Sequence, residues 1–273
     1  MKRLLNKRGN LWIKGLAIVC VVALSLGLTA SNAFAAKNLK DTKRTSKTKR
    51  RGVKYYPSGT PTRAIQELDN MLDDFIVKGE GQKLTADEEK HNKKLKQNII
   101  HGTFDIRELA KLSLSKHWRD RTPSEQDEFV SLLTSLLEEK ALFSKEQSAA
   151  KSKEGGKYFV VYRGHKFPKS NKERSFVRTK VVVPSENITI TLNYRMKKKG
   201  EEWKLYDIIV DQASLVDNYR YQFNNIIKKH GYPELVRRMS SKLDNMKDKR
   251  NDGDKKSAGS EKKSTGKKKD KDS

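Results

Sequence analysis

The chain has 273 residues, 60 Lys or Arg against 34 Asp or Glu, and a formal charge of +26. Its one cysteine, Cys20, excludes an internal disulfide and a multi-thiolate metal site.

Lys2, Arg3, Lys7, Arg8 and Lys14 precede an apolar run from Gly15 to Leu28, and Ala33-Phe34-Ala35 follows. Charge, a short greasy stretch and a small-x-small site predict a secretory signal peptide over residues 1–35, cleaved near Ala35. An uncleaved anchor is the alternative reading. Cys20 lies inside the run and leaves with it, so the exported chain has no thiol. Residues 36–55 form a basic linker and residues 247–273 a Lys-rich tail, both expected to be disordered and solvated. Residues 37–54 alone hold nine Lys or Arg and one Asp, and residues 242–273 hold twelve against seven acids. Such ends either keep the protein soluble or attract a polyanion. After export the nearer polyanion is an anionic membrane surface or a surface polysaccharide, and no nucleic acid is expected.

Residues 56–246 are long enough for one domain with a sizeable core. Thr60-Pro61 reads as an N-cap with Pro at the first helical position, and Ala64, Ile65, Leu68, Met71, Leu72, Phe75 and Ile76 recur at helical spacing. Gly79 and Gly81 are expected to end that helix. Thr85 with Glu88 is a capping box opening a mostly polar helix towards Ile100. Asp105 with Glu108 marks another start, running through Leu109 and Leu112 to Trp118. In TPSEQDEFVSLLTSLLEE, Thr122, Pro123 and Glu125 supply a full helix start, and Phe129, Leu132, Leu133, Leu136 and Leu137 one wide apolar stripe.

The pattern then changes to period two. KYFVVYRGHKF, SFVRTKVVV, ITITLNYRM and EEWKLYDIIV read as four successive strands with short connections, hence an antiparallel meander. The last strand carries Trp203, Leu205 and Ile209 on one face and Tyr206, Ile208 and Val210 on the other, so it asks for apolar cover on both sides. Leu215, Val216, Tyr219, Phe223, Ile226 and Ile227 form the stripe of a further helix closed by Gly231, and a last helix starts near Pro233. The fold class is α+β: a four-stranded antiparallel, twisted sheet flanked by several helices. The apolar helical faces exceed what one sheet face can cover. Either helices cover both faces, or some apolar surface lines a cavity.

No catalytic or metal constellation is present. His91, His101, His117, His165 and His230 show no metal spacing. There is no Gly-x-Ser-x-Gly, phosphate-cradling loop or dinucleotide fingerprint. Asp207 and Asp211, four apart on a strand, read as strand-end carboxylates, one capping the next helix, before they read as a two-carboxylate site. No enzyme and no cofactor are expected.

FDIRELAKLSLSKHWRDRTPSEQDEFVSLLTSLL, FVRTKVVV, NYRMKKKGEEWKLYDIIVDQASLVDNYRYQF and GYPELVRRM, taken in order and spacing, resemble the MlaC family of phospholipid-binding proteins from lipid-asymmetry and toluene-tolerance ABC transport systems. The resemblance runs from about Thr60 to Leu243. Ser115 replaces a usual Gly, Gln212-Ala213 a usual Glu-Gly, and KALFSKEQ lacks a usual Tyr. The resemblance implies a periplasmic carrier with a deep apolar cavity for acyl chains, phospholipid being its cargo. Its partners would be an inner-membrane ABC transporter complex with its substrate-binding ring protein and an outer-membrane lipoprotein–porin complex. The basic tails could add an anionic membrane surface. It points to Phe129, Leu133, Leu136, Val181, Ile190, Leu192, Tyr194, Trp203, Leu205, Ile208, Val210, Leu215 and Tyr219 as the lipid-binding set, with Ile190, Leu192 and Tyr194 of the sheet facing Phe129, Leu133 and Leu136. The residues alone allow core packing at the same positions. A second function, an exported polyanion- or surface-binding module acting through the Lys-rich tails, also stays open.

Overall fold

The computed structural model describes residues 55–76, 84–151, 159–184 and 187–264. The expected signal peptide, the basic linker up to residue 54 and the helix stop at Gly79 and Gly81 lie outside these residues. Three helices come first: α1 (Pro61–Asp73), α2 (Ala86–Thr103) and α3 (Ile106–Leu114), the last continuing into a 3-10 turn at Ser115–Trp118. The long α4 (Pro123–Lys151) leads to the strands β1 (Phe159–Lys166), β2 (Arg174–Val183), β3 (Ile188–Lys199), β4 (Glu202–Val210) and β5 (Ala213–Ser214). Helices α5 (Leu215–His230) and α6 (Tyr232–Ser264) finish the fold. Among the described residues no helix is long and apolar enough to cross a membrane.

The helix starts follow from their caps. Thr60 accepts from the Arg63 amide ahead of Pro61, and Thr85 and Glu88 close a reciprocal capping box. Thr122 and Glu125 do the same for α4, with the two bonds at 2.8 and 3.2 Å. Asp105 caps α3, and Ser214 caps α5 by accepting from Asp217 N–H. Gly231, at φ 83°, closes α5 where only a residue tolerant of positive φ fits comfortably. Helix α6 begins at Tyr232, one residue before the expected Pro233, and its helical backbone continues to Ser264, into the stretch expected as a solvated tail.

The sheet order is β1-β2-β3-β4-β5, antiparallel throughout, as short connections require. It has five strands rather than four. The fifth pairs only Ala213 and Ser214 with Val210 and Ile209, across a two-residue turn. Asp211 and Gln212 both have positive φ, 44° and 78°, as a tight primed hairpin turn demands. Two residues are too few to show an alternating pattern, so the sequence hides this strand.

A bulge in β4 corrects the reading of that strand. Met196 pairs with Leu205 and Arg195 with Asp207, so Tyr206 is the extra residue. Beyond it the side-chain phase inverts. Trp203, Leu205, Ile208 and Val210 therefore share one face with Ile190, Leu192, Tyr194 and Met196, while Ile209 turns to the other. The strand is covered on both sides as expected, since Ile209 on the far face and Tyr206 in the bulge are buried too. One face changes parity half-way along.

The core divides into two clusters. In the first, α3, α4, α5 and α6 bury Leu109, Phe129, Leu133, Leu136, Tyr219, Phe223, Ile226 and Leu235 almost completely. Phe223 stacks on Tyr219 at 5.2 Å and meets Phe129 edge-on at 5.6 Å. In the second, α1 and α2 supply Ile65, Leu68 and Ile99 against Val177, Val181, Ile190, Leu192, Tyr194, Met196, Trp203 and Leu205 of the sheet. Phe104 and Ile208 touch both clusters. Phe104 also bridges to Leu205 along the outer edge of β4.

Candidate functional site

The inner sheet face is apolar because alternate residues of three strands point to it: Val177 and Val181 of β2, Ile190 to Met196 of β3, and the phase-shifted Trp203, Leu205, Ile208 and Val210 of β4. Its cover is uneven along the strands. Near the start of α1, Ile65, Val177, Met196 and Leu205 are completely buried. That end is fastened by Trp203 Nε1 donating to the Gly59 carbonyl at 3.1 Å and by Thr62 Oγ1 bonded to His165 Nδ1 at 2.8 Å. Towards the opposite end, where α1 finishes, Met71 and Leu72 of α1, Phe75 just beyond it, Leu95 of α2, Val160 and Tyr162 of β1, and Ile208 and Val210 are only partly buried. Val181, Ile190 and Leu192 at this same end stay buried, so the thinner cover is confined to the flanking strands β1 and β4.

Helix α1 is held over this face by polar contacts. The Tyr162 hydroxyl donates to Asp69 Oδ2. Burial pushes the Asp69 carboxyl up to about 6, the Tyr162 bond opposes this, and Asp73 adds to it. Burial also lowers His165 from its ordinary value. Asn92 clamps the end of the α1 segment, accepting from Ile76 N–H at 2.9 Å and donating to its carbonyl at 2.8 Å.

The opposite sheet face is polar where the helical cluster meets it. Glu108 of α3 takes Arg174 at 2.5 Å and Lys197 at 3.0 Å, and Lys199 reaches Asp105 at 3.2 Å. Burial raises the Glu108 carboxyl, but the two cations outweigh it and the net shift is downward. Asp207 receives the Ser214 hydroxyl, Val216 N–H and Arg195, although burial prevails and its carboxyl is raised. Of the two strand-end aspartates, Asp207 therefore steadies the start of α5. Asp211 instead accepts from Thr191 N–H at 2.9 Å. These carboxylates are occupied by structural partners. Among the described residues no group of three or more His, Cys, Asp or Glu is placed to hold a metal ion.

The thirteen residues singled out from sequence fall into two sets. Val181, Ile190, Leu192, Tyr194, Trp203, Leu205, Ile208 and Val210 come together on the inner sheet face. Phe129, Leu133, Leu136, Leu215 and Tyr219 lie in the helical cluster, with Ile208 touching both sets. The expected facing of Ile190, Leu192 and Tyr194 against Phe129, Leu133 and Leu136 is not what the fold builds. The α4 stripe packs on α5 and α6, and the sheet face is covered by α1 and α2. Tyr219 is completely buried, and burial alone pushes its phenol upward. Sequence reasoning omitted Met71, Leu72, Phe75, Leu95, Val160 and Tyr162 from the site. The α1 stripe was visible, but periodicity does not say which surface a helix covers.

Among solved structures, a phospholipid-binding protein from Ralstonia solanacearum, determined in complex with a phospholipid, matches this fold with a TM-score of 0.52 at 19% identity, covering 68% of this chain and 98% of that one. No curated protein sequence matches significantly. The family described as MlaC protein matches residues 69–241, most of the folded region, and the chain belongs to the MlaC family.

Proposed function

We propose that the protein is a phospholipid carrier, holding acyl chains against the inner sheet face beneath α1 and α2. The observation that carries this is the continuous apolar inner face: Val177, Val181, Ile190, Leu192 and Met196 are buried along its centre, while Val160, Ile208 and Val210 on the flanking strands are only partly covered. Family membership and the phospholipid held by the Ralstonia protein support the same reading. The protein acts by binding rather than catalysis, in the periplasm, after loss of its signal peptide. It passes lipid between an inner-membrane ABC transporter complex and an outer-membrane complex.

Energetics dictate how such a carrier works. Exposing about thirty methylenes to water costs on the order of 25 kcal/mol, at roughly 0.8 kcal/mol each. Release into solvent is negligible, so loading and unloading occur at a docked membrane or partner. In a bilayer the tails are already dry. Carrier and bilayer can then lie near balance, which allows transfer in either direction. The test is mass spectrometry of the organic extract from protein purified without detergent. Phospholipid near one equivalent is expected, and a lipid-free extract from folded protein would overturn the reading.

A further inference from the structure

The outer face of β1 and β2 combines exposed apolar groups with cations that have no acidic partner. Phe159 and Val161 are 49% and 38% exposed, and both point away from the inner face. Their cross-strand partners are Val182 and Lys180, and Arg178 continues the row on β2. Arg163, next in the alternation on β1, is exposed. Strands β1, β2 and β3 contain no Asp or Glu. On β3 and the near end of β2 the cations are neutralised: Arg174 and Lys197 by Glu108, Arg195 by Asp207, Lys198 by Glu201 and Lys199 by Asp105. Among the described residues Arg163, Arg178 and Lys180 have no such pairing. The Arg178 guanidinium donates only to the Arg163 carbonyl, at 3.3 Å.

We infer that this outer β1–β2 face docks on an anionic phospholipid bilayer. An aromatic and an aliphatic side chain among unpaired Arg and Lys suits a membrane interface. The apolar pair enters the headgroup boundary, while the long cationic side chains keep their charges at the phosphates. Charge complementarity selects the bilayer over a protein partner, because among the described residues the patch offers a cation row and no carboxylate to complement a mixed-charge surface. The patch also lies on the flanking strand where the inner face is only partly covered, since Phe159 and Val160 are neighbours on β1. Docking there brings the partly covered β1 flank of the apolar face to the lipid. The purpose of docking rests on the carrier reading, but docking itself does not.

The test is co-sedimentation of the full chain with phosphatidylcholine vesicles, with and without phosphatidylglycerol. Two variants are compared with the parent: Arg163→Glu with Lys180→Glu, and Phe159→Ser with Val161→Ser. With each basic residue near the surface contributing on the order of 1 kcal/mol, charge reversal is expected to weaken binding to anionic vesicles by roughly tenfold or more. The serine pair is expected to weaken it severalfold, most visibly at high salt where screening leaves the apolar contact dominant. Phe159, Val161 and Arg163 are exposed and Lys180 is half-buried, so circular dichroism should match the parent for the serine pair, which stands as an independent arm if charge reversal disturbs folding. Folded variants that bind as the parent does would overturn the proposal and leave the Lys-rich ends as the membrane contact. Lipid extraction from the same preparations keeps the two ideas apart. Parental lipid content with lost vesicle binding supports docking, and absent lipid with retained docking would overturn only the carrier reading.

Discussion

The helical cluster and the inner sheet face are built from the same kinds of residue, yet their packing differs. Around Phe129, Tyr219 and Phe223 the large side chains at the centre are closed in, and the aromatic rings meet at stacking and edge distances. Across the sheet, the central strands are equally closed, but Val160 and Tyr162 of β1 and Ile208 and Val210 of β4 are only partly buried. A filled core loses contact energy when any atom is removed, because close-packed neighbours cannot collapse fully. A partly covered apolar face can take up foreign methylenes, which restore contacts the fold leaves unmade. The difference teaches that the α4 stripe sits in a filled core, whereas the flanks of the sheet face leave contacts unmade.

Mutation separates the two regions most strongly. Phe129→Ala should cost about 3–5 kcal/mol and leave any residual folded protein with its inner sheet face unchanged. Denaturant unfolding measures this. A loss below about 1 kcal/mol would show that the helical cluster is not a packed core.

Val210→Asp should do the reverse. The position is partly buried, so the carboxylate can stay hydrated, at a stability cost below about 2 kcal/mol, while it brings water against acyl chains. Bound phospholipid should fall to background in the organic extract of a protein that still melts cooperatively. Lipid at parental levels would place the tails elsewhere. Leu192→Asp, only 3% exposed deeper on the same face, should lose lipid too, at greater cost to stability.

Acidity should act on the sheet side through Asp69. Its folded value, about 6, lies above the ordinary 3.8, so the folded state binds the extra proton between these values. Stability from this group is therefore greatest at low pH and falls as pH rises from about 4 to about 6, by on the order of 1–2 kcal/mol. Asp69→Asn should flatten that slope in unfolding measurements across the range. An unchanged slope would show that burial does not raise the Asp69 carboxyl.

The smallest effect concerns the helical side. Ser115 has φ 52° and ψ −120°, a conformation that glycine adopts freely and a side chain does not. This is the position at which the family resemblance leads one to expect glycine. Ser115→Gly should stabilise by about 1 kcal/mol, with lipid content unaltered. Destabilisation would mean that the serine side chain contributes more than its backbone strain costs.

Much of the local structure was legible because it is set by neighbours in sequence. Thr60-Pro61, Thr85 with Glu88 and Thr122 with Glu125 satisfy amides three residues away, so they announce three helices whatever surrounds them. Period two over ITITLNYRM and short connections determined the meander. The bulge at Tyr206 was not legible, since an extra residue exists only relative to the partner strand, and nothing in WKLYDIIV marks it.

The sequence by itself determined which residues are apolar, where helices begin and how the strands follow one another, because capping and periodicity act over a few residues. Which apolar faces meet was decided only in three dimensions. Hydrophobic attraction has no direction and does not distinguish the α1 stripe from the α4 stripe. Chain geometry makes that choice. Asp69 and Thr62 fasten α1 to β1, and Phe104 carries the chain along the edge of β4. The Tyr206 bulge turns Ile208 and Val210 inward, onto the inner face where they are only partly buried.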